Sequence, residues 1–418
     1  MSEPNEASVR AEVGAWLEDN WDPELSLLDW RNRLADSGWG CPTWPSEWCG
    51  RGLPEALGDV VRDSFQEIGA VGVAQGGGTA LAAVTLLEHG SEDQKRHLLR
   101  PIITGEDTWC QLFSEPGSGS DLAGLTTRAD ESGDEFIVNG QKVWTTSAHH
   151  ARYGMLLART NWDVPKHEGI TYFVIEMDQP GIEVRPLRQM NGHASFNEVF
   201  FTDATVPKEN VLGELGKGWT VALTTLAHER RMADGLRSMV RGAQGKGRVY
   251  DEYRAEVASV MEPYKWYPQR AGRADLVVER ARATGRVEDP VVRQEIAKLL
   301  CLARTAEWTA RRAKEARVLG RPPGPEGSLG KLAASNVARA AADVHARISG
   351  ADTMLARADG PLDGVIAEIV LSVPAVSIAG GTDEIQRNII SERVLGLPKE
   401  PTPDAGKPFR DVPKNLAS

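Results

Sequence analysis

What most constrains the fold of this chain is the order of its structural signals. Helical patterning comes first, then strand-like patterning, then helical patterning again, and the blocks do not alternate. Residues 5 to about 108 read as helical, with Val9, Val13, Trp16 and Leu17 on one amphipathic stripe. Leu81, Val84, Leu86 and Leu87 read as a buried helix ended by His89 and Gly90, and Ser91 as the N-cap of the next segment, to Ile103. From 109 to about 215 come short strand-like runs: 136–138, 153–158, 172–175, 182–184 and 198–201. Asn139-Gly140 and Gln179-Pro-Gly181 read as the turns between them. Residues 216 to about 396 are helical again, with a loop at 322–325. A block of strands without intervening helices reads as an antiparallel sheet or barrel. The expected class is α+β. It has an N-terminal α-helical domain (1–108), a middle antiparallel β domain (109–215) and a C-terminal helical bundle (216–397). The tail (398–418) is proline-rich and reads as mobile.

A formal net charge of -11 argues against nucleic acid as a partner, because no basic excess is available for phosphates. Cys41, Cys49, Cys110 and Cys301 form no CxxC pair and suit neither a zinc site nor a disulfide scaffold. The start of the chain is acidic and polar, unlike a signal peptide, and no apolar run approaches a membrane span. These features suit a cytoplasmic protein. Six of the twelve tryptophans precede residue 50 at irregular spacing, which suits packing better than a binding box. His149 and His150 lack the companions a metal site needs.

Four segments carry chemical potential. Leu112-Phe-Ser-Glu-Pro-Gly-Ser-Gly-Ser-Asp121 offers glycine turns, hydroxyls and amides, which can meet a phosphate or a polar ring edge. Leu122 stands where a dinucleotide fingerprint needs its third glycine, so this is no Rossmann loop. In Asn139-Gly-Gln-Lys-Val-Trp-Thr-Thr-Ser147, a hairpin turn at Asn139-Gly140 would put Trp144 and Thr146 on one strand face. That face suits a flat ring, or is an ordinary strand with a core tryptophan. In the third segment, Ala222, Leu226, Glu229 and Ala233 share a helix face that is apolar apart from the carboxylate. Such a carboxylate is costly unless paired or functional. Glu229 is thus either a working base or half of a structural pair with Arg230. The fourth segment, Ile378-Ala-Gly-Gly-Thr-Asp-Glu-Ile-Gln-Arg387, puts two glycines and a threonine N-cap at a helix start. It is a ligand-binding helix end or a plain cap.

Taken together and in this order, the four segments resemble the acyl-CoA dehydrogenase family. The resemblance implies FAD-dependent α,β-dehydrogenation of an acyl-CoA thioester to the trans-2-enoyl-CoA. Glu229 would be the α-proton base and FAD N5 the hydride acceptor. It implies FAD contacts at Gln111, Phe113, Ser114, Ser120, Trp144, Thr146, Thr382 and Glu384, and substrate contacts at Ser120, Arg230, Gly380 and Gly381. Arg230 would assist catalysis. Placement of the base on this helix is similar to the isovaleryl and long-chain members. Medium- and short-chain members carry a glutamate at the position of Gly380. The resemblance further implies an electron-transferring flavoprotein as acceptor and a homo-oligomer, tetramer or dimer, with a hetero-oligomer as the alternative. Acyl chains that are branched, long or bulky, such as sterol side chains, fit the missing glutamate.

Two features depart from the family pattern. An Arg-x-x-Phe-Gly motif is absent near Arg280 to Gln294, which leaves the adenine end of the cofactor without an assigned holder. The stretch from Gly242 to about Arg273 is long and holds five aromatics, as a lid, a subunit contact or a solvated extra helix. The competing functional readings are a low-activity or structural subunit of a heteromeric dehydrogenase, and an oxygen-using oxidase of the same fold.

Overall fold

The computed structural model describes residues 4–239, 245–318, 324, 326–402 and 404–413; side chains are described except at 230–239, 317–318 and 326. Five helices come first: α1 (Glu6–Asn20), α2 (Leu27–Ser37), α3 (Glu55–Ile68), α4 (Ala83–His89) and α5 (Glu92–Thr104). Seven strands follow: β1 (Trp109–Leu112), β2 (Arg128–Ser132), β3 (Glu135–Thr146), β4 (Tyr153–Arg159), β5 (Ile170–Glu176), β6 (Ile182–Leu187) and β7 (Phe196–Pro207). Then come α6 (Gly218–Met239), α7 (Arg248–Met261), α8 (Tyr267–Arg270), α9 (Val277–Ala283), α10 (Pro290–Val318), α11 (Glu326–Ser349), α12 (Val365–Ser372) and α13 (Asp383–Arg393). The expected α+β class holds. The chain divides into two compact units, residues 1–187, 195–263 and 404–418 in one, and 188–194 and 264–403 in the other.

In the first unit the strands run in the order β1-β4-β2-β3-β7-β6, with β5 on the other edge of β4. The ladders β2–β3, β3–β7, β4–β5 and β6–β7 are antiparallel as expected, but β1 and β2 each pair with β4 in parallel. The sheet is therefore mixed. The long 113–127 loop after β1 makes this feasible, because it carries the chain back before β2 begins.

Strand alternation sorts the side chains into two cores. Cys110, Leu112, Leu156, Phe173, Ile175, Val199 and Val206 fill the interior of the sheet. Trp109, Phe113, Met155, Leu157, Tyr172 and Val174 point the other way, into a core shared with Leu86 of α4, Leu99 of α5 and Ala222 of α6. Each large apolar side chain buried this way contributes about 1.5–3 kcal/mol. Ser91 caps α5 with a full capping box, as its sequence promised.

Three readings of the chain are corrected. Asn139-Gly140 is not a turn; both residues lie inside β3, at an irregularity in its pairing with β7. The turn falls at Gly133, where φ is 60°. Gly140 is needed because a Cβ there would meet Thr127 Oγ1 at 2.6 Å. Second, the 242–273 stretch is not a solvated extra. Residues 242–244 lie outside the described residues, but in α7 Val249 and Tyr250 are buried, and the Tyr250 hydroxyl donates to Gly69 O. Glu256 of α7 pairs with the buried Arg31 of α2. Trp30 is the centre of this N-terminal core; Trp16, Trp21 and Phe65 pack around it. Third, the tail is anchored at Phe409 and Arg410. The Phe409 N–H donates to Val164 O, the Arg410 N–H to Trp162 O, and the Phe409 ring lies under the Arg159 guanidinium at 3.4 Å.

In the second unit, α9, α10 and α11 enclose Val277, Leu299, Ala341 and Val344, and α11 and α12 enclose Ala338, Ile366 and Ile369. The 188–194 segment belongs here: His193 Nε2 bonds Glu368 Oε1 at 2.9 Å, and Asn191 donates to Ser372. The Pro322–Pro325 loop lies outside the described residues except at Gly324.

Candidate active site

Glu229 sits on α6, and the start of α6 is fixed by close contact with β5. A Cβ on Gly218 would lie 2.4 Å from Tyr172 N, so only glycine lets the helix begin there. Further along, a buried hydroxyl chain ties the helix down. Thr225 Oγ1 lies 2.9 Å from Thr85 Oγ1 and 3.2 Å from the Tyr172 hydroxyl. Thr225 is one turn before Glu229, so this network sets where Glu229 emerges. Glu229 is half-buried, and its Oε2 accepts a hydrogen bond from Gln111 Nε2 at 3.1 Å. The side chain of Arg230 lies outside those described, as does that of Ala233.

The loop after β1 is anchored by a second carboxylate. Glu115 accepts from Thr126 N, Thr126 Oγ1, Thr127 N and Lys142 Nζ, the last at 2.8 Å. Lys142 is wholly buried and also donates to Phe113 O. Burial raises the Glu115 pKa, but the Lys142 ammonium and the threonine donors outweigh it and pull the carboxyl down to about 2. Between these anchors the chain reverses tightly, with Glu115 and Ser118 exchanging backbone hydrogen bonds. Ser118 Oγ then donates to Asp121 O, and Lys166 grips the Asp121 carboxylate. Beyond the turn, Arg159 donates to the carbonyls of Ala123 and Leu125. The sequence reading quoted Glu115 and Lys142 inside their segments and gave neither a role. Their signal was present: a lysine on the buried parity of a strand needs a counter-ion.

Val143 N donates to Ser114 O, which lays the loop and strand β3 side by side. Ser114 thereby lies beside the Val143–Trp144 stretch of β3, while Gln111, three residues earlier, reaches Glu229. Phe113 buries its ring edge-on against Tyr172. Ser114 is half-buried and Ser120 is exposed. Trp144 has a left-handed backbone (φ 63°) at a second irregularity of the β3–β7 ladder and is 56% exposed. Thr145 turns inward, and Thr146 is half-buried. An indole held outward at a distorted strand position, two residues before a half-buried threonine, fits a flat heteroaromatic ligand such as a flavin.

In the second unit, Gly380 and Gly381 have φ of 69° and 84°, a conformation natural only to glycine. Space for a Cβ at Gly380 is open, whereas at Gly381 it would meet Gln386 Nε2 at 2.7 Å. Thr382 caps α13 by accepting from Ile385 N. Asp383 is buried and held by Lys331 and Arg339. Glu384 is exposed and pairs with Arg387. In the stretch that lacks the Arg-x-x-Phe-Gly motif, Arg280 donates to Ser349 Oγ and Val292 is core.

The rings of His149 and His150 lie 4.0 Å apart, tilted by 47°, in a short 3-10 turn. Burial, and then the charge of His150, lower the His149 pKa, and a bond to Asn197 opposes them. Among the described residues no group of three His, Cys, Asp or Glu side chains is placed to hold a metal, and no helix is long and apolar enough to cross a membrane.

Comparison with known proteins matches all three parts of one enzyme family. Residues 5–106 match the acyl-CoA dehydrogenase N-terminal domain, 110–204 the middle domain and 272–395 the C-terminal domain. The chain is 34% identical to acyl-CoA dehydrogenase IpdE1 of Mycobacterium tuberculosis, covering 94% of this chain and 97% of that protein. It is 36% identical to acyl-CoA dehydrogenase FadE34 of the same organism, across 94% of this chain but 49% of that longer protein. Among solved structures, it is similar to the acyl-CoA dehydrogenase of Geobacillus kaustophilus (TM-score 0.60, 25% identity, 95% of this chain and 100% of that one). It is also similar to a variant of the steroid ACAD Tcur3481-Tcur3483 (TM-score 0.62, 25% identity, 94% and 99%). The chain belongs to the acyl-CoA dehydrogenase family, whose members are FAD-dependent flavoproteins. It is accordingly an oxidoreductase of acyl-CoA thioesters.

Proposed function

We propose that Glu229 is the base that removes the α-proton from the bound acyl-CoA. The observation that carries this reading is the environment of its carboxylate. It stands half-buried on an otherwise apolar helix face, and the described partner of its Oε2 is a neutral amide. A carboxylate held so keeps one oxygen for a proton, whereas one saturated by cations does not. The α-proton of a thioester is weakly acidic, so its removal also needs donors aimed at the carbonyl oxygen. FAD, when bound, supplies the acceptor for the β-hydrogen at N5. Trp144 and Thr146 would hold its ring, and the Ser114–Asp121 loop would offer it polar contacts. Arg230 and Ser120 would meet the substrate.

For the acyl group we propose a bulky, ring-bearing or branched chain. The likeness to a steroid ACAD supports it, as does a glycine rather than a glutamate at position 380. Electrons would leave through an electron-transferring flavoprotein, and the enzyme would work in the cytoplasm as an oligomer. The test is the visible spectrum of the FAD-loaded protein with straight-chain, branched and sterol-side-chain acyl-CoAs. Flavin absorbance should bleach with the bulky thioesters in the wild type and not in Glu229→Gln. Equal bleaching in the variant would remove Glu229 from the mechanism. A response to straight chains alone would remove the bulky-substrate reading.

A further inference from the structure

Two polar residues interrupt two apolar faces, and they meet. On β1, alternation sends Cys110 and Leu112 into the sheet interior. Trp109, Gln111 and Phe113 share the opposite face, the one packed against α6. Trp109 and Phe113 are core there, and only Gln111 is polar. On α6, Val221, Ala222 and Leu226 face that core, and Glu229 is the carboxylate at its end. Gln111 Nε2 donates to Glu229 Oε2 across 118 residues of sequence.

We propose that Gln111 is a positioning residue for Glu229, acting through the base and not on the flavin. This rests on the reading of Glu229 as the base. β1 is paired through all four of its residues with β4, so the backbone from which the amide reaches Glu229 is a fixed point. One hydrogen bond to Oε2 fixes the rotation of the carboxylate and leaves Oε1 for the substrate. An amide also suits both halves of the reaction. Its N–H donates to the carboxylate before proton transfer, and after a half-turn its C=O accepts from the carboxylic acid. A lysine or arginine at 111 would serve only the first state, and would hold the carboxylate ionised.

The test uses FAD-loaded enzyme carrying Gln111→Met, nearly equal in size but without the donor, and Gln111→Glu, equal in shape but with a charge. Flavin content, melting temperature, kcat, KM and the pH profile are measured with whichever acyl-CoA bleaches the wild type best. In Gln111→Met, FAD content and KM should stay at wild-type values while kcat falls roughly 10- to 100-fold, the scale of a lost hydrogen bond to a charged group. The acid limb of kcat/KM should move to higher pH, because the carboxylate has lost a donor, and further still in Gln111→Glu, where a like charge opposes ionisation. Adding Gln111→Met to Glu229→Gln should cost nothing more. Loss of FAD from a folded Gln111→Met would overturn the proposal and assign the residue to the cofactor. So would a wild-type kcat and acid limb in both variants while Glu229→Gln is inactive. If Glu229→Gln itself turns over normally, the base assignment fails first and the positioning role falls with it.

Discussion

Glu115 and Glu229 are two carboxylates of the same unit in opposite circumstances. Glu115, in the loop after β1, is buried, receives four hydrogen bonds and faces an ammonium group. Glu229, midway along α6, is half-buried, and among the described residues its Oε2 accepts from the amide of Gln111. A carboxylate saturated by donors and paired with a cation cannot exchange a proton cheaply, so Glu115 is architecture. A carboxylate whose described partner is one neutral amide can, which is the ground for proposing Glu229 as the base. One acid anchors the loop after β1; the other, on the proposed reading, does the chemistry.

The sharpest way to break this comparison is to neutralise each acid. Glu229→Gln should lower kcat by roughly 10²- to 10⁴-fold, the usual worth of a positioned base, with the melting temperature within a few degrees of wild type. Glu115→Gln should do the reverse, lowering stability while the flavin that remains bound still bleaches. Lys142→Met should be worse than Glu115→Gln, because it strands a buried anion. Loss of one partner of such a pair costs about 3–5 kcal/mol, and thermal unfolding would show whether the double variant recovers part of it. Acid titration separates the two acids again. Glu115 is depressed from its usual 4.5 to about 2. The stability it contributes is complete above about pH 4.5 and is lost as the pH falls toward 2. Chemical unfolding across that window should show a decline in the wild type that Glu115→Gln lacks. The smallest expected effect on stability is that of Trp144→Ala, within about 0.5 kcal/mol for so exposed a side chain. Its FAD affinity, read by fluorescence titration of the apoprotein, should nonetheless fall.

The strands and helices of this chain were legible because each is written in a local pattern, as in Tyr153 to Ala158 or around the Ser91 cap. The four segments were legible because each is a short run of neighbours. What was hidden is whatever depends on distant residues. Asn139-Gly140 carries a strong local turn signal, yet pairing of β3 with β7 keeps both residues in the strand. Nothing near Glu229 in sequence announces Gln111. Glu252 and Glu256 look solvent-facing until α2 supplies the Leu27 N–H and the Arg31 guanidinium. Phe409 sits among prolines and polar residues, and contacts with distant Arg159 and Trp162 help give it a place in the core.

That last contact bears on how the protein is made. Arg159 holds the carbonyls of Ala123 and Leu125 behind the glycine-serine loop, and Phe409 closes over its guanidinium. In the order of synthesis, Phe409 follows every helix of the second unit. The first unit therefore cannot complete itself as it leaves the ribosome, although its strands emerge early. It waits, with one wall open, until the other unit has been translated and the chain returns.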